Sequence, residues 1–304
     1  MTSQNKYLVY QAFGHIENIY ESVFSIISVF QKHSPESIQV IVYTDQPAYF
    51  NYIFGSRVKC EIINQTIIEN WLGKVPFIHR IKIEILKDFC SKYSGIVLYM
   101  DSDTYILKGF DQIFSDLEKP GVFYMHEFEG TLEGKPNPVI RRAYNYTSQN
   151  LVETDEGRFE IPGETQMWNA GVLGFRTSDK DILEKVLKLT DYIYPRFISH
   201  IVEQMSFSYY FQKEGIVKGA NDEVLHYWSF KEFRQILVHY FIMYPNKNYK
   251  FYSSTMGKIP LEKMMKEKQY YEGLPFFKKT VKKVTGKRWK LPKYSFSAGN
   301  YVAK

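Results

Sequence analysis

Residues 96–114, IVLYMDSDTYILKGFDQIF, decide the fold. Five apolar residues, Ile96 to Met100, end on Asp101-Ser102-Asp103, and no cation adjoins either carboxylate in sequence. An unbroken apolar run reads as a strand covered on both faces, as in the parallel sheets of α/β proteins. Alternate residues of an extended chain point to one side, so the two carboxylates can share a direction. Like charges a few Å apart repel unless one is protonated or a cation lies between them. A small set of oxygen ligands with open positions suits Mg²⁺ or Mn²⁺ held jointly with substrate phosphates. The bland alternative for a D-x-D is a loop in which one Asp caps a turn and the other is solvated.

Outward from this strand, helix and strand alternate. KYLVYQAFG (6–14) is a first strand, and Ile16, Ile19, Val23, Ile26, Ile27 and Phe30 recur at helical spacing after it. SIQVIVYTD (37–45) and RVKCEII (57–63) are strands, and Pro76 opens a helix over 76–93 with Ile78, Ile81, Ile85 and Phe89 on its inner face. PGVFYMHEF (120–128) is another strand candidate, whereas 129–165 is polar and irregular and reads as a long loop. QMWNAGVLGFRTS (166–178) resumes as a strand, Asp179 caps a helix reaching Tyr194, 199–212 is a second helix, and EVLHYWSFKEF (223–233) is a last strand running into a turn. The pattern argues for an α/β fold: a doubly wound sheet flanked by helices, with ligands bound beyond the carboxyl ends of the strands.

At 304 residues and 44% hydrophobic content the chain can bury one large α/β core with an appendage. The expected division is a catalytic domain over 1–244 and a basic, aromatic extension over 245–304. Cys60 and Cys90 lack metal-ligand spacing and read as buried thiols in a reducing compartment. The N-terminal residues show no basic segment followed by a long apolar one, and no window reaches the roughly 18 apolar residues of a membrane span. A soluble, cytoplasmic protein is the expectation. The formal charge of +6 is uneven: nine Lys/Arg and no Asp/Glu lie from Phe276 onward, so the rest of the chain carries −3. Cations interleaved with aromatic rings there suit peripheral contact with an anionic membrane at its inner face, and nothing else in the chain points to nucleic acid.

Three further stretches carry polar groups worth weighing. His226 ends a predicted strand and Lys231 follows five residues later, which makes a third metal ligand and a phosphate cation feasible. The alternatives are a satisfied core histidine and an exposed turn lysine. Asn169, Ala170 and Gly171 are small or amide-bearing residues where a ligand could approach the backbone. Glu203 and Gln204 lie on a predicted helix, where an ordinary polar face is the alternative.

Taken in order, FIHRIKIEILKDF, IVLYMDSDTYIL, WNAGVLGF, VEQMSFSYYF and HYWSFKEF resemble the GT-A-fold glycosyltransferases, most of all glycosyltransferase family 8, over residues 7–235. The resemblance implies that Asp101 and Asp103 bind Mn²⁺ or Mg²⁺, with His226 completing the protein ligands and Ser102 beside the donor. It implies that Arg80 and Lys82 touch the donor, that Asn169, Ala170 and Gly171 line its sugar, and that Glu203 and Gln204 lie beside the anomeric carbon. Lys231 matches the lysine on the diphosphate, and Gln11, Ala12 and Phe13 stand where the base is recognised. The chain departs from the pattern in Glu203, where Asp is usual, in Trp228 and Ser229, where a Gly is common, and in QAFGHIEN, which lacks Asp-x-x-Tyr.

The implied activity is metal-dependent transfer of a hexose from a nucleoside diphosphate sugar, UDP-linked, to a saccharide or lipid-linked glycan, with retention. A sugar-nucleotide-binding protein without turnover is one alternative. The other is a haloacid-dehalogenase-type phosphatase, which needs its D-x-D near the start of the domain and a later acidic pair.

Overall fold

The computed structural model describes residues 4–303. Strands and helices alternate through β1 (Lys6–Ala12), α1 (Ile16–Phe30), β2 (Gln39–Thr44), α2 (Pro47–Phe54), β3 (Val58–Ile62), α3 (Gln65–Leu72), α4 (Arg80–Lys92) and β4 (Ile96–Met100). Next come β5 (Thr104–Ile106), α5 (Asp111–Leu117), β6 (Val122–Met125), β7 (Phe128–Thr131), α6 (Pro138–Thr147), β8 (Val152–Thr154) and β9 (Gly157–Phe159). The chain continues through β10 (Gln166–Trp168), β11 (Val172–Arg176), α7 (Asp181–Ile193), α8 (Val202–Glu214), β12 (Ile216–Gly219) and β13 (Val224–His226). Helices α9 (Lys231–Met243), α10 (Tyr249–Thr255), α11 (Leu261–Glu272) and α12 (Phe276–Val284) precede a hairpin of β14 (Tyr294–Ser297) and β15 (Asn300–Ala303).

Seven strands form the main sheet in the order β12-β6-β11-β4-β1-β2-β3. It is mixed: β11 runs antiparallel to β4 and β6, while the other pairings are parallel. Strand β1 pairs with β2 on one side and β4 on the other, so the winding reverses between β1 and β4. Ligand crevices form at such a reversal, outside the carboxyl ends, because the flanking connections part there. Asp101 is the first residue past that end of β4.

The apolar run of β4 is continuous because both of its faces are covered. Ile96, Leu98 and Met100 join a buried cluster with α1 and α9, while Val97 and Tyr99 join a second with α4, α7 and α8. That is the period of two expected of a central strand.

Several expected elements are revised. The segment 129–165 holds most of β7, all of α6 and the hairpin β8–β9, with Asn137 capping α6 through hydrogen bonds of 2.9 Å from Val139 and Ile140 N–H. The strand expected over 166–178 breaks into β10 and β11, with Asn169, Ala170 and Gly171 between them. The one expected over 223–233 is only β13, followed by α9. Asp179 does not cap α7 but takes Arg176 in a two-pronged ion pair at 2.8 and 3.0 Å. Cys90 is buried as expected; Cys60 is only half-buried.

Nor does the core break at residue 244. Tyr252, Met256, Leu261, Met264 and Phe296 are buried in the same cluster as Val23 of α1 and Phe233 and Leu237 of α9, and Trp289 and Tyr301 pack against it. The sheet alone leaves the outer faces of α1 and α9 uncovered, and these later residues close them. Helix α12 is different, having no buried residue.

Candidate active site

Three donors converge at the end of β4. The Asp101 N–H donates to Gly171 O at 2.9 Å, extending the β4–β11 ladder one step beyond the strand, and Tyr99 Oη–H donates to Asp101 Oδ1 at 2.9 Å. Strand β5 then pairs with β13 so that Thr104 opposes His226, and the Tyr227 N–H closes on Asp103 O at 3.0 Å. His226 Nε2 consequently lies 3.0 Å from Asp103 Oδ1 and 3.8 Å from Asp101 Oδ2. One ligand atom from each of the three residues falls within 4.8 Å of the others.

The tautomer of His226 follows from a backbone group. Gly171 N–H, an obligate donor, points at one atom of the Asn169 amide at 2.9 Å, which must therefore be oxygen. His226 Nδ1 lies 2.8 Å from that same oxygen and so carries a hydrogen. Nε2 is left facing two carboxylates, where it needs either a second proton or a cation. Adjacent ligands of an octahedral ion at about 2.1 Å sit about 3.0 Å apart, which is the separation of Nε2 from Asp103 Oδ1. Two carboxylates and an imidazole nitrogen in this arrangement fit a divalent cation. Gly171 is what permits it: a Cβ there would sit 2.2 Å from His226 Nδ1.

Lys82 stands behind the donors, 4% exposed, with its Nζ 3.3 Å from Asp101 Oδ1, 3.2 Å from Glu203 Oε1 and 2.9 Å from Ala170 O. Burial works against its charge, but Asp101 and Glu203 outweigh burial and raise its pKa. For Glu203 burial dominates, and its carboxyl is pushed up to about 7 in spite of Lys82. Gln204 Nε2 donates to Glu129 Oε2 at 2.8 Å, and Asn169 Nδ2 donates to Glu129 Oε1 at 3.3 Å. Two cavities meet here and share His79, Lys82, Asp101 and Asp103. One of about 520 Å³ is lined by Glu129, Asn169, Gln204, His226 and Trp228 among others. The other, of about 490 Å³, is lined by Gln11, Phe13, Asn18, Ser102 and Arg234 among others. Burial and the neighbouring Lys82 hold His79 down at about 4, so its imidazole is uncharged at neutral pH.

Glu21, on α1, is almost wholly buried and meets Arg234 Nη2 at 2.9 Å. Burial, with Asp103 adding to it, pushes its carboxyl up to about 7 against the pull of Arg234. The folded chain therefore binds a proton here that the unfolded chain has released, over the range from about 4.5 to 7. Stability from this group is full below the unfolded value and is lost as pH rises through the folded one. Relative to the unsubstituted chain, Glu21→Gln is expected to gain about 1–3 kcal/mol between pH 5 and pH 8. Urea denaturation at the two pH values checks it, and a difference that shrinks with rising pH contradicts it.

The sequence-derived site residues divide into two groups. Asp101, Asp103, His226, Lys82, Asn169, Ala170, Gly171, Glu203 and Gln204 are brought together, and Gln11, Phe13 and Ser102 line the second cavity. Gln11 Oε1 is buried there with no hydrogen-bond partner among the described residues. Arg80 is elsewhere: it is locked in a two-pronged pair with Asp191 at 2.8 and 3.0 Å and also bonds Glu84 and Trp71 O, tying α4 to α7 and α3. Ala12 is fully buried in the core beneath the crevice, and Lys231 is exposed at the first position of α9; neither lines either of the two cavities. Sequence reasoning missed Glu21, His79, Glu129 and Arg234. A carboxylate at an inward position of α1 was the only signal available for Glu21.

No family model matches the chain, and no curated protein does. Among solved structures it is similar to the bifunctional glycosyltransferase WbbM, at 11% identity and a TM-score of 0.46, covering 71% of this chain and 38% of that one. It is similar to the galactosyltransferase LgtC in complex with donor and acceptor sugar analogues, at 14% identity and a TM-score of 0.46, over 69% of this chain and 72% of that one. It is also similar to mouse xyloside xylosyltransferase 1, at 10% identity and a TM-score of 0.44, over 71% of this chain and 84% of that one.

Proposed function

We propose that the chain is a metal-dependent glycosyltransferase that moves a hexose from a nucleoside diphosphate sugar, UDP-linked, to a saccharide or glycoconjugate acceptor with retention. One observation carries the reading: Asp101, Asp103 and His226 set three ligand atoms within 4.8 Å of one another, beside two adjoining cavities at the carboxyl end of β4. Mn²⁺ or Mg²⁺ held by these three would neutralise charge on the departing diphosphate. Gln11, Phe13 and Ser102 suit the nucleoside side. Asn169, Ala170, Gly171 and Gln204 suit the sugar, with the exposed ring of Trp228 available to stack on a saccharide. Glu129 fixes the Asn169 and Gln204 amides, so both are oriented before a ligand arrives. Glu203, paired to Lys82, sets the charge behind the reacting sugar. A panel of nucleotide sugars with Mn²⁺, read as released nucleoside diphosphate, tests the reading. Turnover of one donor that stops with EDTA is expected; release from none, with or without an acceptor saccharide, overturns it.

We also propose that α12 rests on an anionic bilayer. No helix among the described residues is long and apolar enough to cross one. Phe277, Val281 and Val284 share a helical face, with Phe276 beside them at the first position, and all four are exposed; Lys278, Lys279, Lys282 and Lys283 lie between them. An apolar stripe flanked by lysines suits insertion at a headgroup boundary, each cation adding about 1 kcal/mol near the surface. Removing everything after Glu272 would strip Phe296 and Tyr301 from the core, so charge reversal is the better test. Changing the four lysines to Glu is expected to abolish binding to phosphatidylserine vesicles and to leave Tm within about 2 °C, as exposed substitutions usually do. Absence of vesicle binding by the unsubstituted chain at low salt contradicts the proposal.

A further inference from the structure

Among the described residues, two cations, Lys82 and Arg234, line the two cavities. Lys82 already serves Asp101, Glu203 and the Ala170 carbonyl, and it is too buried to reach outward. Arg234, one turn into α9, lines the 490 Å³ cavity together with Asp101, Ser102 and Asp103. Its Nη2 lies 2.9 Å from Glu21 Oε2 and 3.9 Å from Asp103 Oδ2. Among the described residues neither Glu21 Oε2 nor Arg234 Nε makes a hydrogen bond, so the two form a charge contact whose donors are not aimed at their partner. A carboxylate buried to this degree beside a guanidinium fixes where that guanidinium stands, while the Arg234 side chain stays 36% exposed towards the cavity it lines.

We infer that Arg234, steered by Glu21, binds the diphosphate of the nucleotide, the task that resemblance alone gave to Lys231. The inference rests on the reading above and names one more residue of that same site. A planar guanidinium matches two phosphate oxygens at once and does not lose its proton, whereas the ammonium of Lys231 stands exposed and lines neither cavity. Glu21 acts through Arg234 and is a positioning residue.

Calorimetric titration of the purified chain with UDP and with UMP, both in Mn²⁺, tests this. Because Arg234→Met alone leaves Glu21 buried without a cation, the double variant Glu21→Gln/Arg234→Met is measured beside it, with circular dichroism to establish folding. The loss of a charged hydrogen-bond donor predicts a rise in the Kd for UDP of about ten- to hundredfold in both variants. UMP, lacking the second phosphate, is expected to shift by under about threefold on the same grounds. Arg234→Lys should recover part of the lost affinity. UDP binding by the folded double variant within twofold of the unsubstituted chain overturns the inference, as does a loss that appears in Lys231→Ala instead. If the unsubstituted chain binds none of UDP, ADP or GDP with Mn²⁺, the glycosyltransferase reading falls and takes this inference with it.

Discussion

Under the proposed function, replacing Asp103 with Ala is expected to lower donor turnover by about a thousandfold or more, because a metal at the leaving group would supply several kcal/mol and each 1.4 kcal/mol is tenfold. The residue does more than hold one of the three ligand positions. Its Oδ1 faces His226 Nε2 at 3.0 Å, its Oδ2 lies 3.9 Å from Arg234 Nη2, and its backbone carbonyl anchors β13 through the Tyr227 N–H. Burial alone would raise its pKa, but His226 and Arg234 prevail and hold it below the usual carboxylate range, so it is ionised at neutral pH. Asp103→Asn keeps the shape and removes the charge, and it should fail nearly as badly. The check is turnover with saturating Mn²⁺ together with direct titration of Mn²⁺ into the chain without nucleotide. A variant within tenfold of the original, or turnover indifferent to EDTA, removes the metal from the mechanism.

What the sequence disclosed about this site was the part written in short spacings. Asp101-Ser102-Asp103 is one turn of chain after an apolar run, and both the strand and its charged end follow from local pattern. His226 was legible because it too ended an apolar segment, although the segment proved to be three residues long. The pairings that determine what those donors do were not legible, since the partners lie far along the chain. Lys82 meets Glu203 across 121 positions, Gln204 meets Glu129 across 75, and Arg234 meets Glu21 across 213. Nothing in the local sequence of Arg80 separates it from Lys82, two positions away on α4, yet one ties helices together and the other faces the site. The polar segment 129–165 misled for a related reason. Its apolar residues, Leu132, Ile140, Val152 and Ile161, are too widely spaced to register as periodic, and they find one another only in the folded core.

Gly171→Ala is expected to remove most metal affinity and to lower stability at once, from the addition of a single methyl group. The Cβ would stand 2.2 Å from His226 Nδ1, 2.3 Å from Cε1 and 2.8 Å from Cγ, so the whole imidazole edge blocks it. The ring cannot simply turn aside. Nδ1 is tied to Asn169 Oδ1 at 2.8 Å, and the backbone of His226 is fixed by pairing with Thr104. Nor can residue 171 retreat, because its carbonyl accepts the Asp101 N–H at 2.9 Å and its own N–H is committed to Asn169. Every relief of the clash therefore breaks a bond that orients a ligand. Overpacking of a rigid interior costs about 1–3 kcal/mol, which corresponds to a Tm lower by about 2–12 °C at some 2–4 °C per kcal/mol for a chain of this size. Displacing one of three donors should weaken Mn²⁺ binding by about a hundredfold, the upper end of what even an outer partner of a ligand costs when lost. His226→Ala, combined with Gly171→Ala, supplies the decisive comparison. With the imidazole gone the methyl has nothing to strike, so the double variant should be at least as stable as Gly171→Ala alone, and an added loss of stability instead would mean that Gly171 is needed for its backbone and not for the histidine.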